Sequence, residues 1–508
     1  MDSALFRALC AALLPLLLAV PPLAAQAADS IPPDSARPAV LHSVGSGEED
    51  RERVLQLLGR APDAGFLIRS PSSRARPGRG FALLRPEGRI VYNSGLPYSL
   101  NEGTLWAGRG AGVLVTGGFR ARLGRLRLTV APEVAGSANR DFQTLTPFGE
   151  YSRFASPFHV RRYTADLPLR FGEGSDVTVS LGQSSAVLEL GRLEAGAATE
   201  SQWWGPGIRN ALVMSNNAPG FPHLFARTGR PLRTPAGDFE ARWVAGALHE
   251  SGYFDQRSGN DVRSLSAAAV AWRPVWEPNL TLGATLAVVA EAGSTAAAPL
   301  HALDVLVPAG GDRERLSSLF ARWIFPASGV EVYAEGPGAY TLGLQWARPT
   351  SATGIVRVQA EVSDLESVRG GGVGFDVHSY YTSRKVAQGV TNRGRALGAS
   401  IGPGASSQWL AVDHLGERWE AGAFAGRVRW ENDALYATFE PSLVAHDVTA
   451  LLGVRGALRA GGFRIGAELT AGKRYNYLFQ VARPEFEGSG AVNIPNQTLR
   501  LTVEPLRR

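Results

Sequence analysis

The chain has 508 residues, with 59 Gly and 32 Pro, and its 52 Lys plus Arg against 46 Asp plus Glu give a formal net charge of +6. Its single cysteine, Cys10, lies in an N-terminal apolar run, so everything after that run is without a disulfide framework, a thiolate zinc site or a cysteine nucleophile. A turn-rich composition with no second apolar run of about 20 residues excludes transmembrane helices, and leaves a closed barrel of strands as the way such a chain could cross a membrane.

Taken in order, Arg7, the apolar run Ala8 to Val20 and the small-x-small triplet Ala25-Gln26-Ala27 predict a cleaved secretory signal over 1–27. Residues 28–104 read as an N-terminal periplasmic or plug region. There Ser46-Gly-Glu-Glu49 forms a capping box for a short helix over 46–60, with Val54, Leu55, Leu57 and Leu58 on its apolar side and Pro62 as its stop. The Arg- and Pro-rich segment Arg69 to Gly80 reads as a loop, and Phe81 to Tyr92 as a hairpin around Pro86-Glu87-Gly88.

From about residue 105 the period becomes two, and residues 105–508 read as one outer-membrane barrel. Val356, Val358, Ala360 and Val362 alternate with Arg357, Gln359 and Glu361; Phe463, Ile465, Ala467 and Leu469 alternate with Arg464, Gly466 and Glu468. Further strands are expected at 125–130, 177–184, 186–194, 238–249, 262–273, 280–290, 316–326, 330–335, 340–347, 395–401, 407–413, 418–430, 448–459 and 497–504. Each segment has about the length a tilted strand needs to cross a bilayer, the polar faces carry full charges suited to a wet lumen, and aromatics such as Trp276, Trp323 and Tyr475 sit near strand ends. The fold class expected is therefore all-β: a large antiparallel transmembrane barrel of 16 to 20 strands, by count of the alternating segments.

The stretch Ser201 to Pro222 breaks the alternation. It packs Trp203-Trp204-Gly-Pro-Gly207 and the pair Asn216-Asn217 into a segment too irregular for helix or strand, and reads as a structured loop over 200–222. Flat Trp faces with Arg209, Asn216 and Asn217 nearby suit a sugar, and Arg suits a carboxylate-bearing polymer. The alternative, that the Trp pair packs the loop against the barrel wall, carries more weight.

Catalysis finds little support. No two of the eight histidines stand at helical metal-binding spacing, no Gly-x-Ser-x-Gly elbow occurs, and Gly370–Gly374 reads as a turn between strands. Glu331 and Glu335, four apart on one strand, are about 13 Å apart and too distant for a paired-carboxylate glycosidase. The basic excess is nearly all arginine, with Lys385 and Lys473 the exceptions, and is compatible with an anionic neighbour or simply with a GC-rich genome.

Three segments resemble the Wzi-type capsule-assembly proteins of Gram-negative outer membranes. They are Trp203-Trp-Gly-Pro-Gly207 with Ser215-Asn-Asn-Ala218 and Phe221-Pro222; Tyr380-Tyr381 with Gly389-Val-Thr-Asn-Arg-Gly-Arg395, Leu397-Gly398 and Gly402, where Val390 replaces an expected aromatic; and Glu331-Val-Tyr333-Ala-Glu335. The resemblance implies a barrel of about 18 strands with a periplasmic helical plug and closing extracellular loops. It also implies a non-enzymatic, lectin-like role: holding capsular or other surface polysaccharide at the bacterial outer membrane, reached through Sec export, without cofactors or nucleic acid. Outer-membrane lipid and lipopolysaccharide are the expected surroundings, and the chain is expected to be a monomer. One helix where the family carries a bundle suggests a reduced plug. The candidate binding or loop-shaping residues are Trp203, Trp204, Arg209, Asn216, Asn217, Glu331, Glu335, Arg393 and Arg395, with no catalytic or metal-ligating residue. A porin or sugar-selective channel is the runner-up reading, and an outer-membrane enzyme acting on lipid or glycan the third.

Overall fold

Strand alternation closes into a barrel of eighteen antiparallel strands. The computed structural model describes residues 39–61, 67–74, 80–147, 149–160, 163–308, 310–367, 378–438, 445–480 and 491–506. The expected leader (1–27), Pro62 and the Gly370–Gly374 turn lie outside them. A helix α1 (Gly47–Leu57) precedes the barrel. The wall begins with β1 (Phe81–Asn93), β2 (Gly110–Leu123), an interrupted β3 (Leu126–Val130 and Glu133–Ser137) and an interrupted β4 (Asp176–Ser180 and Ser185–Leu190). It continues through β5 (Leu193–Ala198), β6 (His223–Thr228, with Leu232–Thr234), β7 (Gly237–His249), β8 (Val262–Pro274) and β9 (Leu280–Glu291). Next come β10 (Arg313–Phe325), β11 (Val330–Gly336), β12 (Tyr340–Pro349), β13 (Ile355–Asp364) and β14 (Ser406–Leu415). The last four are β15 (Trp419–Trp430), β16 (Asp447–Ala460), β17 (Phe463–Tyr475) and β18 (Ile494–Pro505).

Closure falls to β1, which pairs β2 on one side and β18 on the other, with Gly88 opposite Val503 and Asn93 opposite Thr498. This corrects two expectations. Phe81 to Tyr92 is one strand and not a hairpin, and the barrel starts at residue 81 and not near 105. Pro86 has no N–H to give a ladder, and the register slips between Leu84 and Glu87, so a bulge absorbs the residues that read as a turn. A third correction concerns 395–401. Only Arg395–Ala396 is extended there, paired with Thr391–Asn392 in a two-residue ladder that is not part of the barrel. Within the expected loop Arg69 to Gly80, Arg69 joins Ile68 in a ladder with Trp203–Trp204, and Pro71–Arg74 forms one helical turn.

The faces sort as the period requires. Leu342, Leu344, Val362, Leu410, Leu452 and Val454 point outward and stay exposed, whereas Arg357, Gln359 and Glu361 point inward and are at most 2% exposed. Trp276, Trp323 and Trp419 are exposed at one end of the wall and Tyr92 and Tyr475 at the other, as interfacial girdles would be. At the first of these ends the connections are short, as at 124–125, 191–192, 416–418 and 461–462; at the other they run long, as at 138–175, 199–222 and 365–405. Short turns mark the periplasmic mouth of such barrels and long loops the extracellular one. α1 sits at the short-turn mouth, its Val54 and Leu57 packed on Ile324, Ala347, Ile355 and Leu415. Among the described residues no helix is long and apolar enough to cross a membrane.

The main apolar core lies inside the barrel. Trp204, Leu212, Val213 and Met214 of the insertion 199–222 meet Tyr381, Val390 and Leu397 of the long 365–405 connection, and both pack on the inward residues Phe225, Val244, Leu265 and Phe320.

Candidate functional site

The interior is fastened by charge. Ser46 caps α1 by accepting from the Glu49 N–H (3.4 Å), but the carboxylate of Glu49 accepts from Gly45 N (2.6 Å), one residue earlier than a capping box places it. Its next residues reach different strands: Glu48 pairs with Arg459 of β16, Asp50 with Arg357 of β13 (2.7 Å), and Arg53 with Glu331 of β11 (2.9 Å from Nε). Arg51 donates to the Gly416 carbonyl in the β14–β15 turn (2.8 Å). Arg53 and Glu331 bury opposite charges together, which is what makes charged side chains tolerable there, while the Glu48 and Asp50 pairs are partly exposed.

Carboxylates from mid-barrel strands then receive the backbone of the insertion. Glu361 accepts from the consecutive amides of Ile208 (2.7 Å), Arg209 (3.1 Å) and Asn210 (3.0 Å), and from the Tyr333 hydroxyl (2.8 Å). Successive N–H groups turned toward one anion form a nest, here inverted in its use: the wall supplies the anion and the loop the donors. Glu335 accepts from Leu212 N (3.2 Å) and Ser318 Oγ (2.8 Å), and Glu331 also holds Arg322 (3.0 Å). Trp203 and Trp204 are 1% and 0% exposed; their indole N–H groups donate to Gly207 O (3.0 Å) and Gln202 Oε1 (3.1 Å), and Arg69 lies over the Trp203 ring. Arg209 stacks its guanidinium 3.5 Å from the centroid of Trp409. Asn216 donates to Val44 O (2.8 Å) and Asn217 to Ala396 O (3.0 Å), while Ser215 Oγ donates to Gly398 O (2.6 Å).

The second motif closes over this from the extracellular side. Asn392 accepts from His249 N (3.0 Å), Gly394 N donates to Asp166 (3.1 Å), and Arg263 donates to the Thr391 carbonyl (3.0 Å). Arg395 is buried and donates to Gly103 O, whereas Arg393 is exposed, its backbone bonded to His249 O. Of the nine candidate residues, eight are therefore interior or half-buried fasteners of the plug, and Arg393 alone is exposed. Between α1, the insertion and the wall a cavity of about 240 Å³ persists, lined by Arg69, Arg209, Arg357, Arg455, Glu420 and Glu468 among others.

In the extracellular 250–261 connection, burial pushes the Glu250 carboxyl up to about 7, and Asp255, Asp166 and Asp261 add to the rise against a hydrogen bond from Gln388. Below about 4.5 the group is protonated in both the folded and unfolded chain. Between there and about 7 the folded loop retains a proton the unfolded chain releases, so stability falls as pH rises through that window. The group is only partly buried, so solvent screening limits the effect to about 1 kcal/mol. Once corrected for the intrinsic rise of exchange with pH, hydrogen-exchange protection of 250–261 should fall between about pH 5 and about pH 8, and Glu250→Gln should flatten that response.

A site the sequence reading missed lies on the long-loop face. Tyr163 and His378 stack with ring centroids 4.6 Å apart and planes 11° apart, and the Arg384 guanidinium lies 4.3 Å over the Tyr163 ring. His378 is half exposed and anchored by its ring to Thr382 O (2.8 Å). Arg384 and Lys385 are exposed beside it. No local sequence signal joins 163 to 378, which are brought together through the ladder-like contact of Thr164 with Ser383. Among the described residues no group of three or more His, Cys, Asp or Glu is placed to hold a metal ion.

Residues 101–293 match the family model described as capsule assembly protein Wzi. No curated protein matches. Among solved structures, the Escherichia coli outer-membrane protein Wzi, described as a carbohydrate-binding β-barrel involved in group 1 capsule assembly, matches with a TM-score of 0.59 at 10% identity, over 93% of this chain and 100% of that one. The outer-membrane channel DcaP of Acinetobacter baumannii (TM-score 0.32, 8% identity, 83% of this chain and 97% of that one) and OprB of Pseudomonas putida (0.36, 10%, 83% and 94%) are more distant. Residues 101–293 are thus similar to the Wzi capsule-assembly family, and the whole chain has the fold of the outer-membrane β-barrel Wzi.

Proposed function

We propose that this barrel is a non-enzymatic, lectin-like protein that holds an exported, carboxylate-bearing polysaccharide at the cell surface. One observation carries the reading: the lumen is occupied by the chain's own α1, insertion and long connection, each fastened by buried ion pairs and amide–carboxylate bonds. A polymer is left with the extracellular face, where the half-exposed ring of His378, backed by Tyr163, offers a flat face beside Arg384 and Lys385. Such a surface suits a sugar ring, and the cations suit its carboxylates. The Wzi barrel it resembles is described as carbohydrate-binding, which supports the same role here. In this reading Trp203, Trp204, Arg209, Asn216, Asn217, Glu331, Glu335 and Arg395 shape the loop that closes the barrel.

Cells lacking the gene should shed polysaccharide into the medium and lose it from the surface; unchanged attachment would sink the anchoring role. In vitro, Tyr163→Ala together with Arg384→Ala should weaken binding of the purified polysaccharide roughly tenfold, since a stacked face and its cation each contribute on the order of 1 kcal/mol. Tyr163→Phe should bind nearly as the parent does. The porin reading predicts steady, large conductance in planar bilayers, and the plugged reading predicts little.

A further inference from the structure

The barrel wall is incomplete at one place. β5 and the first segment of β6 have six residues each, with the thirteen-residue β7 on one side and the six-residue second segment of β4 on the other, and a tilted strand needs about nine to cross the hydrocarbon. Ala198 pairs with His223 at the top of this short pair, and the insertion leaves and re-enters the wall there, at Thr199 and Pro222. At the long-loop end of this short pair the wall carries a depression of about 430 Å³.

Small side chains make the room: Ala186, Ala197 and Ala245 line it, with Leu181 and Leu224 as exposed apolar edges. On its far side stands an element that belongs to neither lumen nor loop cap. The β9–β10 connection folds down the outside of the wall as two short 3-10 turns, Ala298–His301 and Asp304–Leu306. It is pinned there because the Ala302 carbonyl accepts from Trp243 Nε1 (3.0 Å) and Ser266 Oγ (2.7 Å), both outward-facing. Leu300, Leu303 and Leu306 are 86%, 63% and 75% exposed, which is tolerable only against hydrocarbon, and Pro299 and Thr295 of the same connection line the depression. At the top, Thr295 Oγ1 bonds His249 Nε2 (2.9 Å), and His249 O holds the backbone of the exposed Arg393. The exposed Arg393 is thereby fixed among the long loops above the apolar depression.

We propose that this depression seats an acyl chain of a phosphorylated outer-leaflet glycolipid, with the phosphate held at Arg393. An acyl chain fits an apolar slot of this width, and an anionic headgroup complements the cation above it. The site lies on the membrane face, so its fate is independent of the polysaccharide reading.

The test uses the full-length barrel in mild detergent, stripped of lipid and titrated with bis-phosphorylated lipid A, with its dephosphorylated form and phosphatidylethanolamine alongside, followed by native mass spectrometry. The parent should retain bis-phosphorylated lipid A at least about tenfold better than either comparison lipid. Ala197→Phe, which fills the slot from an exposed position, should lower retention roughly tenfold, the equivalent of about two methylenes of chain contact. Arg393→Glu should lower retention of the phosphorylated form alone. Folding of both variants is checked by heat-modifiable migration, and Arg393→Glu, at an exposed loop position, keeps the test alive if Ala197→Phe does not fold. Equal retention of all three lipids, or parent-like retention by folded variants, would overturn the proposal.

Discussion

Trp204→Ala is expected to loosen the plug by about 3–5 kcal/mol, the usual cost of removing a fully buried Trp from a packed interior. Trp204 is 0% exposed, its N–H bonds the Met214 carbonyl (3.0 Å), it lies opposite Ile68 in the small ladder, and it sits in the cluster that joins the insertion to the wall. The deleted indole leaves a cavity ringed by Leu212, Val213 and Phe225, side chains held by the barrel and unable to collapse onto it. The wall itself should survive, because its ladders do not involve this residue. The expected result is a barrel that keeps its heat-modifiable migration while proteases cut within 199–222 and conductance rises in bilayers. A variant with parent-like protease resistance and conductance but no polysaccharide binding would show instead that the Trp pair touches sugar.

The barrel was legible because the bilayer imposes a strict period. Arg357, Gln359 and Glu361 could be assigned to the lumen and Val356, Val358 and Val362 to lipid from alternation alone, and the structure places them so. Several of the elements misread are ones in which backbone constraints break that period. β5 and β6 are too short for an alternating pattern to declare itself, and the bulge at Pro86 imitates a turn. Residues 395–401 alternate within the plug, where packing on two sides mimics a wall strand.

The site was less legible for a different reason. An inward-facing carboxylate on a barrel strand looks the same in sequence whether water, a ligand or the chain's own backbone covers it. Glu331 and Glu335 are covered by Arg53, Arg322 and the Leu212 amide, partners between 9 and 278 positions away. The segments that carry the resemblance are in this sense the fasteners of this chain's plug. The exposed Tyr163–His378–Arg384 group rests instead on loops with no periodicity to read. The single helix that suggested a reduced plug is sufficient because the insertion and the 365–405 connection fill the rest of the lumen.

The largest effect of a single carboxylate is expected at Glu361. Glu361→Ala leaves the amides of Ile208, Arg209 and Asn210 and the hydroxyl of Tyr333 in the interior without their acceptor. Each stranded donor costs about 1–3 kcal/mol, and water entering beside the charged 240 Å³ cavity lined by Arg209 recovers part of it, so the net loss should be about 3–5 kcal/mol. That loss falls on the 208–210 turn and not on β13, whose ladder with β12 and β14 is backbone-made. Hydrogen exchange should therefore rise sharply at 208–212 and stay slow in β12 to β14, and conductance should appear as brief openings and not as a steady pore. Glu361→Gln retains a carbonyl acceptor and should lose less than half as much. If Glu361→Ala instead unfolds the wall together with the plug, the plug is part of the barrel's cooperative unit and cannot be loosened separately from it.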